Sequence, residues 1–246
     1  MNVQLKDKVV LVTGANRGIG RAFVEVLVAR GVSRIYAAAR NLQDAKDLVA
    51  IAPGIIVPLQ LDITNASEIA AAKVMITNLD VLINNAGIAN SSGFVGEESL
   101  AIANAEMATN YFGGVNLTHA LLPLLLQSSS AAIVSISSIA GISNFPVLGP
   151  YSASKAAVHS FIQGLRAELR KSNILVQGVY PGPVDTRMAE GVPLSKASPV
   201  EVVNCVLNGL EEGIEDIFPD AFSTAMYQVF CQNPKQLEQQ FAQMVG

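Results

Sequence analysis

Apolar residues fall along this chain in short unbroken runs, separated by longer stretches where they recur every three to four positions. Val9-Val10-Leu11-Val12 is the first such run and reads as a strand buried on both faces. Residues 19–30 then carry a helical period that stops at Gly31. The alternation continues with strands over 34–38, 55–61, 79–83, 133–136 and 174–179, and helices over 41–50, 97–127 and 149–171. Pro58 weakens the third strand, since proline gives no N–H to a ladder. Asn65 followed by Glu68 marks a helix start, as a side-chain cap and a third-position carboxylate. Beyond residue 186 the rhythm loosens. Ser198-Pro199-Val200-Glu201 opens a helix to about Glu212, and Asn233-Pro234-Lys235-Gln236 opens a last one.

Strand and helix in alternation predict an α/β fold: a doubly wound parallel sheet of Rossmann type, about seven strands, with helices on both faces. Its binding crevice is expected at the carboxyl ends of the strands, where the strand order reverses. No linker rich in Gly, Ser or Pro divides the chain, so residues 1–246 read as one domain.

Composition narrows the function. Half of the 246 residues are hydrophobic, only 15% are charged, and the net charge is −4. With no basic stripe, a nucleic-acid partner is not expected. Cys205 and Cys231 lack metal-ligand spacing, so neither a metal site nor a disulfide framework is expected. Residues 1–8 lack the apolar run of a secretory signal. The longest apolar stretch, 120–126, contains Pro123 and is too short to cross a bilayer. No membrane association and a cytoplasmic location are the expectations. His119 and His159 have no partner carboxylate at obvious spacing and read as structural or surface residues. Met188, Met226 and Met244 read as core fillers or as lining of a substrate mouth, and Cys205 as a small buried hydrophobe.

Chemistry first shows at Thr13-Gly14-Ala15-Asn16-Arg17-Gly18-Ile19-Gly20, which leaves the first strand and opens the first helix. Glycines let the backbone approach a pyrophosphate, and the helix start offers it free N–H groups and a positive dipole end. The spacing is G-x-x-x-G-x-G rather than the dinucleotide G-x-G-x-x-G. That form resembles the short-chain dehydrogenase/reductase family. Asn84-Asn85-Ala86-Gly87 closes the fourth strand, as the family's NNAG segment does. Tyr151-Ser152-Ala153-Ser154-Lys155 supplies its Y-x-x-x-K, and Ser138 lies thirteen residues before the tyrosine. Asn110 falls where the family's fourth catalytic residue is found, and Pro181-Gly182 follows the sixth strand. The resemblance covers about residues 7–186.

The resemblance implies a nicotinamide cofactor held by Gly14, Asn16, Arg17, Gly18, Ile19 and Gly20, with Asp62 and Ile63 at the adenine. It further implies Asn84, Ala86 and Gly87 along the cofactor, and Pro181, Gly182, Val184 and Thr186 near the carboxamide. Tyr151 and Lys155 contribute on the same side. An NAD enzyme places an acid at the end of its second strand; here Ala39 and Arg40 stand there. A guanidinium grips a 2′-phosphate that an acid would repel, and Arg17 adds a second positive charge, so NADP(H) is expected.

A carbonyl accepting hydride needs a proton donor and oriented hydrogen bonds. Tyr151 is the candidate donor. Lys155, four residues on, shares its helix face and favours the phenolate by charge. Ser138 can bond the substrate oxygen, and the resemblance gives Asn110 a water relay to the lysine. The expected function is reduction of a small or medium aldehyde or ketone, or the reverse oxidation. The resemblance makes residues 187–200 a substrate lid, here short and mostly apolar. It also implies a homodimer or homotetramer through the helices over 97–127 and 149–171. A 3-oxoacyl carrier-protein reductase is the nearest competitor. Residues 127–132 lack the positive charge such enzymes use, although Arg166, Arg170 and Lys171 offer a basic patch. A non-enzymatic NADP(H) sensor or scaffold is the alternative of another class.

Overall fold

A computed structural model of the chain describes residues 1–243, so Met244 lies outside the described residues. Its strands are β1 (Val9–Thr13), β2 (Arg34–Ala39), β3 (Ile56–Gln60), β4 (Val81–Asn84), β5 (Ala131–Ile136), β6 (Ile174–Val179) and β7 (Asp216–Ile217). All pair in parallel, in the order β3-β2-β1-β4-β5-β6-β7. This is the expected doubly wound sheet. The order reverses between β1 and β4. Val12 pairs with Ala37 on one side and Ile83 on the other, so Thr13, Ala38 and Asn84 leave the sheet at one level. That shared exit forms the crevice.

The helices are α1 (Gly18–Ala29), α2 (Gln43–Val49), α3 (Ala66–Met75), α4 (Ser99–Glu106), α5 (Gly114–Leu125), α6 (Gly149–Leu169), α7 (Pro199–Glu212), α8 (Ala221–Gln232) and α9 (Pro234–Ala242). Alternate strand residues face opposite layers. Val10 and Val12 pack with Phe23, Leu27, Val206 and Leu210 of α1 and α7. Val9 and Leu11 join Leu117, Leu121 and Ile162 of α5 and α6. The strands are apolar runs because both faces are covered. Among the described residues no helix is long and apolar enough to cross a membrane.

Several expectations change in detail. β3 is an edge strand, which is why Pro58 is tolerated inside it. Asn65 caps α3 by accepting the Ser67 amide at 3.0 Å, but Glu68 reaches past it to the Asp62 amide at 2.7 Å. The capping box of Ser198 and Glu201 forms as expected. The helix expected over 97–127 is broken: a π-helical turn, Met107–Gly113, separates α4 from α5. Cys205 is exposed, not buried. In α7, Val202, Val203, Val206, Leu207 and Leu210 form the inward stripe, and position 205 falls outside it. Met188 is also exposed.

Candidate active site

The glycine loop owes its path to three backbone requirements. Gly14 and Gly18 have φ of +62° and +55°, which L side chains rarely adopt. A Cβ on Gly20 would collide with the Gly14 carbonyl. The loop is stitched to the end of β4. Thr13 Oγ1 accepts the amides of Asn85 at 2.9 Å and Ala86 at 3.0 Å, and Asn85 Nδ2 donates to the Thr13 carbonyl at 2.8 Å. Asn85 was not a predicted site residue, although it is the second asparagine of the NNAG run. Asn84, which was predicted, turns its side chain the other way and donates to Thr118 Oγ1 at 2.9 Å. Ile63 is likewise buried against Gly113 of the π-helical turn, and Ile19 packs on the α1 core.

Arg17 stands at the N-cap position of α1, inside the glycine loop, and Arg40 directly follows β2; both are exposed. Asn16 Nδ2 lies 3.5 Å from Asp44 Oδ2. Asp62 sits beyond β3. Partial burial pushes its carboxyl up, but the Thr64 hydroxyl and amide, with the charge of Arg40, hold it below the usual range. Asp62 therefore closes a turn through Thr64, at 2.7 and 2.9 Å.

On the other side of the crevice stand the predicted polar residues. Ser138 follows β5 and caps a short 3₁₀ turn, accepting the Ala140 amide at 3.1 Å. Its hydroxyl donates to the Pro181 carbonyl at 3.3 Å. Tyr151 and Lys155 lie one turn apart in α6, with Lys155 Nζ 5.6 Å from the phenol ring centroid. Lys155 is buried and donates to the Ile136 carbonyl at 2.7 Å. Burial lowers its ammonium to about 8. Burial pushes the Tyr151 phenol up to about 12, a hydrogen bond with Ser138 opposes this, and the charge of Glu106 adds to it.

Asn110 lies in the π-helical turn, a distortion common at functional sites. Its Oδ1 accepts the Ile88 amide at 2.8 Å, while Nδ2 donates to the Ile88 carbonyl at 2.9 Å and to Ser154 Oγ at 2.8 Å. Gly87 is caught between these groups. A Cβ there would lie 3.1 Å from Asn110 Oδ1 and 3.6 Å from Lys155 Nζ.

The segment after β6 closes the far wall. Thr186 approaches the glycine loop, 3.1 Å from where a Gly18 Cβ would stand. Val184 is buried and bridges Ala197, so the expected lid over 187–200 hangs from a fixed base. Asp220, unnoticed in the sequence, accepts the Gly182 amide at 2.8 Å. His159, expected to be structural or at the surface with no partner carboxylate at obvious spacing, has Nδ1 2.8 Å from the Tyr180 hydroxyl, which reaches Asp216 Oδ1 at 3.3 Å. His119 is exposed. Arg166 is occupied by Asp216 at 3.0 Å and Glu215 at 3.3 Å. The crevice thus joins a cradle shaped for an anion to a phenol, an ammonium and a hydroxyl.

Known proteins resemble this chain in sequence and in fold. The family described as short chain dehydrogenase matches residues 8–196. An uncharacterized oxidoreductase of Staphylococcus saprophyticus is 33% identical over 222 residues, covering 85% of this chain and 94% of that protein. The crystal structure of a short chain dehydrogenase from Burkholderia cenocepacia in complex with NADP superposes with a TM-score of 0.91 at 34% identity, covering 97% of this chain and 99% of that one. A short chain dehydrogenase/reductase from Burkholderia phymatum in complex with NAD shares the fold, with a TM-score of 0.83 at 23% identity over 95% and 96% of the two chains.

Proposed function

The chain belongs to the short chain dehydrogenase family, and we propose that it is an NADP(H)-dependent reductase of small or medium aldehydes and ketones, with Tyr151 as proton donor. One observation carries this reading: Tyr151, Lys155 and Ser138 converge at the carboxyl ends of the strands, across the crevice from the glycine loop.

The residues present fit the cofactor. The left-handed Gly14 and Gly18 and the blocked Cβ at Gly20 leave a cradle of bare backbone at the start of α1, suited to a pyrophosphate. Arg17 and Arg40 stand exposed beside it to bond a 2′-phosphate, as the NADP-bound relative makes reasonable. Pro181, Gly182 and Thr186 would flank the nicotinamide. Bound there, the reduced cofactor would supply hydride to the carbonyl carbon.

The chain's own residues would handle the oxygen. The Ser138 hydroxyl orients it and stabilises its growing negative charge. The Tyr151 phenol, protonated at neutral pH as tyrosines ordinarily are, delivers the proton. Lys155, with an ammonium lowered to about 8, is poised to resupply that proton through the Asn110 side of the site. The run over 188–194, apolar but for Glu190, suits an apolar substrate mouth. The exposed Leu100 and Phe112, on the outer side of the helical stretch over 99–125, support pairing of two copies.

Against the carrier-protein reductase reading, Arg166 is already engaged by Glu215 and Asp216 and offers little to an acidic carrier. The deciding experiment is NADPH oxidation with a panel of aldehydes, ketones, quinones and acyl thioesters. Turnover of simple carbonyls supports the proposal. Selective turnover of acyl thioesters favours the carrier-protein reading, and NADPH binding without turnover of any carbonyl favours a sensor.

A further inference from the structure

Glu106 ends α4, one turn before Asn110, and its side chain has no exposed surface. Residues four apart share a helix face, and these two hold neighbouring positions of the segment behind Gly87. Asn110 takes both backbone groups of Ile88. Glu106 takes Asn90, two residues further on: Oε1 accepts the Asn90 amide at 2.7 Å and its Nδ2 at 3.1 Å. The other oxygen, Oε2, is buried without a partner. A half-satisfied carboxylate in an interior is costly, and a neutral side chain would fill the same space at less expense.

We infer that Glu106 is a positioning residue: through Asn90 its carboxylate fixes residues 88–90, and with them the corner at Gly87 that lies against Asn110 Oδ1 and Lys155 Nζ. The inference rests on the reductase reading and deepens it.

The test uses the NADPH-bound enzyme as wild type, Glu106→Gln and Glu106→Ala. Glutamine keeps a carbonyl oxygen for the Asn90 amide but removes the charge; alanine removes both. In carbonyl reduction, Glu106→Ala is expected to lower kcat at least about tenfold with the KM for NADPH within about twofold, and Glu106→Gln to keep both near wild type. Amide hydrogen exchange over 88–90 is expected to speed up at least about tenfold in Glu106→Ala, because the amide loses its acceptor, and to stay near wild type in Glu106→Gln. Unchanged exchange in Glu106→Ala overturns the positioning, and faster exchange with an unchanged kcat overturns its bearing on the reaction. Should the alanine variant not fold, Glu106→Leu, which fills the space without an acceptor, takes its place in both measurements. A wild-type chain inert toward every carbonyl sinks the reductase reading, while the exchange arm still decides the positioning.

Discussion

The carboxylate of Asp220 accepts the backbone N–H of Gly182 at 2.8 Å, across 38 positions of sequence. The same carboxylate accepts the Ser223 amide at 2.8 Å and its hydroxyl at 2.9 Å, and so also caps α8. A Cβ on Gly182 would press on Asp220 Oδ1 and the Phe222 ring. The carboxy-terminal helices therefore hold the loop proposed to flank the nicotinamide. Asp220→Ala strands two backbone donors, the Gly182 and Ser223 amides, and is expected to cost about 1–3 kcal/mol of stability. It should also weaken NADPH binding by about tenfold, which corresponds to 1.4 kcal/mol. Thermal unfolding with and without NADPH measures both. An unaltered NADPH affinity would show that the clamp serves folding alone.

Tyr151→Phe removes one hydroxyl from a ring whose burial is otherwise kept. Turnover is expected to fall by at least ~10², the usual worth of a positioned acid, while NADPH affinity stays within about twofold. Fluorescence titration and initial rates separate the two. Full activity in the variant would transfer the proton to another group and end the assignment.

Arg17 and Arg40 test cofactor choice. A hydrogen bond to a charged partner contributes about 1.5–3 kcal/mol, so each alanine variant should reduce the preference for NADPH over NADH by about 10–100-fold. Arg40→Asp should go further, because an acid at that strand end bonds ribose hydroxyls and repels a phosphate. The comparison is of kcat/KM for the two cofactors in each variant. A ratio indifferent to both arginines would leave their exposure as ordinary solvation.

Much of this was readable in the chain. Strands such as Val9–Thr13, covered on both sides, must be apolar throughout, and a glycine loop between strand and helix leaves few alternatives. What stayed hidden depended on distance or on angle. The two-residue β7 is too short to make a pattern, and the weakly patterned α8 offered none. The π-helical turn barely disturbs the spacing of apolar residues, so 97–127 looked like one helix. Cys205 sits among apolar residues in sequence but outside their stripe. His159 meets Tyr180 across 21 positions and Asp220 meets Gly182 across 38, which no local rule can pair. Glu106 showed only as an acid one turn before Asn110; its burial, the source of its chemistry, belongs to the fold.

That burial also makes a stability prediction. Desolvation raises the Glu106 carboxyl above its ordinary 4.5, against the two hydrogen bonds from Asn90. The native state thus holds this proton more tightly than the unfolded chain does. Its favourable contribution is complete below the unfolded value and is lost as pH rises through the raised one. Glu106→Gln has no proton to lose there. Its stability relative to wild type should therefore climb as pH rises from about 4 and level off once the wild-type carboxyl is fully ionised. Any constant offset from burying the new amide shifts the whole curve without changing its slope. Urea unfolding of both proteins from pH 4 to 8 measures the difference. A difference that is flat with pH would mean the carboxyl titrates as freely in the folded protein as in the unfolded chain.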